Sequence, residues 1–163
     1  MRSVPGSGWL YAAGVLAQTA LDAETILREG ACVLMLRHAQ TEAGVGNPPN
    51  FNLAQCSTQR NLSEAGRAQS RQIGQWLSSR RLRPRRVASS PWPRRWLRPS
   101  TTAARRPASR ALRALLAAVP AGQFDVWVTH QVGITALTGE GPAISEAMLL
   151  GPAGKVLLRT RQG

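Results

Sequence analysis

The run Ala31-Cys32-Val33-Leu34-Met35-Leu36 is apolar at every position, and that lack of alternation constrains the fold more than any other stretch of the chain. A strand with one wet face alternates polar and apolar residues. An unbroken apolar strand is buried on both faces, the condition of a parallel sheet covered by helices. Phe124 to Thr129 repeats the pattern, mostly apolar, and each run ends abruptly in polar residues: Arg37-His38 after the first, His130 after the second. Helical patterns lie between them. Leu21 to Glu29 stops at Gly30; Ser63 caps a segment to about Ser79 with Ile73, Trp76 and Leu77 on one face; Leu112, Leu115, Leu116 and Val119 recur at helical spacing; Val132 to Thr138 follows His130. Arg86 to Pro91 reads as a short strand, and Met148 to Leu150 with Lys155 to Arg159 as a terminal hairpin. Alternating strands and helices predict an α/β fold: a three-layer sandwich with a mostly parallel sheet flanked by helices.

The chain has 163 residues, one domain's worth, and its 43% hydrophobic and 18% charged composition fits a globular protein. No apolar run approaches the roughly 20 residues of a membrane-spanning helix. Residues 1–20 read either as a signal peptide, with a short apolar stretch from Trp9 to Ala17, or as an N-terminal extension, and 21–163 as the domain. The compartment stays open between periplasmic or secreted and cytoplasmic, and with it whether Cys32 and Cys56 pair. Residues 92–110, rich in Arg, Pro and Trp without a period, are expected to be irregular.

Twenty-one Lys+Arg against eight Asp+Glu give a net charge of +13, which favours anionic partners. Arginines at 80, 81, 83, 85 and 86, near Trp92 and Trp96, raise a nucleic-acid-binding reading. No recognised nucleic-acid motif accompanies them, and a solvated helix end explains the run more simply.

In open α/β sheets ligands bind beyond the carboxyl ends of the strands. Arg37-His38, Ser89-Ser90-Pro91 and His130 fall there, from three strands. A lone histidine is usually structural. Two histidines and an arginine at one sheet edge suit a site where one imidazole attacks phosphorus while the other, with guanidinium groups, holds the oxygens.

The segment Leu36-Arg37-His38-Ala39-Gln40-Thr41-Glu42 resembles the Arg-His-Gly signature of the histidine phosphatase (phosphoglycerate mutase-like) superfamily, with Ala39 in place of glycine. Asn61-Leu62-Ser63-Glu64-Ala65-Gly66 is similar to that family's Leu-Ser/Thr-x-x-Gly helix start, Ser90-Pro91-Trp92-Pro93-Arg94 to its Ser-Pro-x-x-Arg element, and Val128-Thr129-His130-Gln131 to its second-histidine strand end. Pro48-Pro49-Asn50-Phe51 and Cys56-Ser57-Thr58-Gln59-Arg60-Asn61 look closest to a small bacterial branch. The resemblance implies His38 as nucleophile, becoming phosphohistidine, with Arg37, Arg94 and His130 binding the phosphoryl oxygens. Arg95 is a rival for Arg94, and Gln131 opens a helix whose N–H groups suit an anion. It implies no cofactor and no metal, and a phosphorylated small molecule or a phosphohistidine protein as partner.

The sequence also departs from the family. Thirty-five residues separate Arg94 from His130, so the fold is expected to lack one helix/strand unit, the part that in many members carries a leaving-group acid. Asp125 lies at the wrong end of its strand, roughly 17 Å away. Glu42 is a candidate acid, and Glu140 a weaker one. Acid-free relatives look like phosphohistidine phosphatases, whose phosphoramidate substrate has a better leaving group. The alternative is an impaired member that binds phosphate or another anion without turnover.

Overall fold

The computed structural model describes residues 22–44, 49–52, 54–89, 102–143 and 146–161. Helix α1 (22–29) leads into strand β1 (Cys32–Arg37), followed by α2 (Glu64–Ser79), β2 (Arg86–Ser89), α3 (Thr102–Ala117), β3 (Phe124–Thr129), α4 (Gln131–Thr138), β4 (Glu146–Leu150) and β5 (Val156–Arg161). The sheet order is β2-β3-β1-β4-β5. Strands β1, β2 and β3 run parallel, because each return passes through a crossover helix. β4 runs antiparallel to β1 and to β5, the latter joined to it through a tight 3₁₀ turn at Pro152–Gly154. The α/β sandwich read from the sequence is the observed fold. Its parallel part is confined to three strands.

The unbroken apolar run of β1 divides by parity between two cores. Cys32, Leu34 and Leu36 pack with Leu27 of α1, Leu77 of α2, Phe124 and Val126, while Val33 and Met35 pack with Leu116 of α3, Ile134 and Leu137 of α4, and Trp127. Helices therefore cover both faces, as the pattern required. Cys32 is a free, buried thiol, and burial with the nearby charge of Glu29 pushes its pKa up to about 11. Trp76 packs at the margin of the first core, with the Arg80 guanidinium 4.8 Å above its ring.

One sequence expectation is corrected here. The segment 92–110 was expected to be irregular, yet α3 is helical from Thr102 onward. Pro107 removes one backbone donor without ending the helix, since Ala103, Ala104, Arg105, Arg106 and Ala108 around it are strong helix formers. Residues 1–21 and 90–101 lie outside the described residues, and with them the signal-peptide question and Trp92, Trp96, Arg94 and Arg95. Among the described residues no helix is long and apolar enough to cross a membrane.

Asp125, the second residue of β3, has its side chain fully buried. Arg85 grips it through Nε to Oδ1 at 3.0 Å and Nη2 to Oδ2 at 3.1 Å; Arg86 donates to Oδ2 from Nε at 3.2 Å and Nη2 at 2.9 Å; Trp127 Nε1 adds a longer bond at 3.4 Å. Burial pulls the Asp125 carboxyl upward, but these hydrogen bonds together outweigh it and hold the group below the usual carboxylate range. Arg85 and Arg86 thus staple β2 to β3, and Arg80 pairs with Glu24 at 3.4 Å. Three of the arginines behind the nucleic-acid reading serve the fold.

Candidate active site

His38 extends the ladder one residue past β1: its backbone N–H donates to the Thr129 carbonyl at 2.9 Å. Because Arg37 pairs with Thr129, the two strands deliver His38 and His130 side by side at the carboxyl edge. Their ring centroids are 4.7 Å apart, with planes inclined by 60°. His38 Nδ1 lies 2.9 Å from the Ala39 carbonyl oxygen. A carbonyl only accepts, so Nδ1 carries a proton, and in the neutral ring the lone pair is on Nε2.

His130 is the N-cap of α4, its carbonyl accepting from Gly133 N at 3.0 Å and Ile134 N at 3.3 Å. The first N–H groups of such a helix have no intrahelical partner, which leaves a positive end beside the imidazole pair. Burial first, then the charges of His38 and Arg37, hold the His130 pKa below its ordinary value. Arg37 is half-buried, and its Nη1 donates to the Pro142 carbonyl at 3.2 Å. Gln131, the first residue of α4, is exposed.

The turn that carries His38 is held by the start of α2. The Gln40 carbonyl accepts from Ser63 N at 3.0 Å and Ser63 Oγ at 3.2 Å, and Ser63 Oγ in turn caps the helix by accepting from Gly66 N at 3.1 Å. Gln69 Oε1 accepts from Gln40 N at 3.3 Å. Gly66 is required here: a Cβ at this position would lie 1.9 Å from the Gln40 carbonyl oxygen. The Leu-Ser-x-x-Gly spacing noted in the sequence therefore has a packing function, to bring a helix N-terminus against the turn that carries His38.

The structure brings Arg37, His38 and His130 together and places Gln131 next in chain. Arg94 and Arg95 lie outside the described residues. Glu42 is exposed, its backbone N–H donating to the Asn61 carbonyl at 3.0 Å. Glu140, the weaker acid candidate, is instead ion-paired with Arg159. Asp125 sits at the amino end of β3, as its strand position implied. Sequence reasoning passed over Pro142, Glu146 and Arg159; a carboxylate opening the otherwise apolar strand Glu146–Leu150 was the available signal.

The depressed His130 pKa gives a pH prediction. Unfolded chains take up a proton near the ordinary imidazole value of 6.5, whereas folded His130 resists it until lower pH. The unfolded state binds more protons in that window, so stability contributed above pH 6.5 is lost as pH falls through it. Urea midpoints at pH 7.5 and 5.5 are expected to differ more in the wild type than in His130→Gln. Equal differences would remove His130 as the source. Asp125 acts in the same direction but at lower pH, below the ordinary carboxylate value.

These features define an α/β protein with two histidines paired at the carboxyl edge of its parallel strands, beside the amino end of α4. Among solved structures the chain is similar to the candidate phosphohistidine phosphatase SixA from Agrobacterium tumefaciens, with a TM-score of 0.50 and 23% identity over 80% of this chain and 97% of that one. No family model and no curated protein sequence matches the chain. The likeness to SixA is one of fold.

Proposed function

We propose that this protein is a phosphatase of the histidine phosphatase type, with His38 as nucleophile and a phosphoramidate such as phosphohistidine as its substrate class. The observation that carries the reading is the Nδ1–H bond to Ala39, which directs the reactive lone pair to Nε2, in a ring 4.7 Å from His130. Nε2 attacks phosphorus, and the N–P bond to His38 forms as the bond to the leaving group breaks. The leaving group departs with that electron pair. Water then attacks phosphorus, the electron pair returns to Nε2, a proton is released, and phosphate leaves. Arg37, neutral His130 through an N–H, and the first N–H groups of α4 hold the oxygens. Arg94 or its neighbour Arg95 supplies a further cation by the sequence resemblance, and Gln131 a polar contact.

The substrate class follows from the acids. All eight Asp and Glu residues of the chain lie among the described residues. Asp22, Glu24 and Glu29 belong to α1, which precedes the amino end of β1, and Asp125 is at the amino end of β3. Glu64 is paired with Arg71 and Arg67, and Glu140 and Glu146 with Arg159. Glu42 alone at the carboxyl edge carries no ion pair with a described residue. An alkyl ester needs a proton donor for its leaving oxygen; a phosphohistidine whose other ring nitrogen is protonated from solvent expels neutral imidazole, whose conjugate acid has a pKa of about 6.5, and does not.

The expected result is turnover of phosphohistidine roughly 100- to 10,000-fold faster than of an alkyl phosphate, the usual worth of a general acid. Comparable rates, lost in Glu42→Gln, would make Glu42 the acid and the substrate a monoester. The second reading, a phosphate binder without turnover, is favoured by the same shortage of unpaired carboxylates. Inorganic phosphate binding with neither substrate consumed would establish it.

A further inference from the structure

The last strand carries a side chain whose contacts all lead back to the site. Arg159 donates from Nε to Glu146 Oε1 at 2.8 Å and from Nη2 to Glu146 Oε2 at 3.1 Å. Its Nη1 pairs with Glu140, and Nη2 makes a longer bond to the Gly141 carbonyl at 3.4 Å. Glu146, only 7% exposed, accepts a further bond at Oε2 from the Ala143 backbone N–H at 2.7 Å. Residues 140, 141 and 143 are thus tied to one guanidinium–carboxylate pair. Between them lies Pro142, its side chain fully buried, whose carbonyl receives Arg37 Nη1. β4 is the antiparallel neighbour of β1, with Leu36 opposite Ala147, so Glu146 begins its strand next to Arg37, and the two border the same cavity of about 140 Å³.

We propose that Arg159 is a positioning residue for the Arg37 guanidinium, acting through Glu146 and the 140–143 segment; the inference deepens the phosphate-site reading and rests on it. An ion pair between a buried carboxylate and an exposed guanidinium contributes little net stability, so what this one provides is geometry. It fixes the Pro142 carbonyl. That carbonyl engages one of the five N–H donors of Arg37 and sets the plane of the others before an anion arrives, reducing the ordering cost of binding. The same pairing explains why Glu140 is unsuited to proton transfer.

Arg159→Ala strands Glu146 without its cation and endangers the fold, so Arg159→Lys is the informative substitution: it keeps the charge and loses the fork. Inorganic phosphate affinity is to be measured for wild type, Arg159→Lys, Arg37→Ala and the double variant, with melting curves confirming that each folds. The expected result is roughly a 10-fold loss in Arg159→Lys and no further loss when it is added to Arg37→Ala, the behaviour of residues sharing one network. Equal losses in both backgrounds, or no loss in the first, overturn the proposal. A folded wild type that binds no phosphate overturns the phosphate-site reading instead. In that case the Arg37 guanidinium N–H resonances decide: a shift in Arg159→Lys sustains the bracket, and unchanged resonances refute it.

Discussion

Alanine at position 38 is expected to leave a folded protein that still binds phosphate but turns over substrate at least about 1,000-fold more slowly, the scale of loss when a nucleophile is removed. The separation follows from the geometry. Arg37, His130 and the start of α4, which hold the anion in the proposed function, remain in place, because His38 is tied to the sheet by its backbone N–H on Thr129, which alanine keeps. The missing group is Nε2. Stopping the wild-type reaction in alkali after brief exposure to ³²P-labelled phosphohistidine is expected to trap an acid-labile, alkali-stable label on the protein, as a phosphoramidate requires. His38→Ala is expected to carry none. Label retained in the alanine variant would place the nucleophile elsewhere, and full activity in it would end the covalent scheme.

Gly66→Ala is expected to be strongly destabilising. The new Cβ would meet the Gln40 carbonyl oxygen at 1.9 Å, with Gln40 C at 2.9 Å. The obstacle is backbone, so no rotamer change relieves it, and either the α2 N-terminus or the His38 turn must move. Overpacking of this kind costs about 3 kcal/mol at the upper end of its usual range. A domain of this size would lose roughly 6–12 °C in melting temperature. The displacement also breaks the bonds from Ser63 to Gln40, so the surviving folded molecules are expected to lose phosphate affinity as well. Gly74→Ala, on the same helix with nothing within 4 Å of its Cβ, is the control and is expected to be neutral or slightly stabilising. A Gly66→Ala variant as stable as that control would show that the turn yields without consequence.

The parts of this molecule written in side chains were legible, and the parts written in carbonyls were not. β1 and β3 announced themselves because a strand buried on both faces needs an apolar residue at every position. The histidines were legible because polar residues directly after such strands have few places to be. By contrast, the Gln40 and Pro142 carbonyls, which hold the His38 turn and Arg37, leave no mark on residue type. Arg159 with Glu146 is a pair of ordinary charges until β4 and β5 bring them together. The start of α3 was hidden by Pro107, whose local penalty misrepresents a segment otherwise rich in helix formers.

Strand β2 is four residues long and mostly exposed, with Val87 64% accessible. Burial therefore gives it little reason to prefer one register over its neighbours, and a slip of one residue along β3 would advance or retract everything after it by about 3.3 Å. What forbids the slip is Asp125. Two consecutive arginines close on one buried carboxylate, and a slip of one residue would put Pro84-Arg85 or Arg86-Val87 there, each with a single arginine in place of two. The carboxylate at the base of the sheet acts as the zero mark of a ruler. It fixes, from the end remote from the histidines, where along the carboxyl edge the chain leaves Ser89.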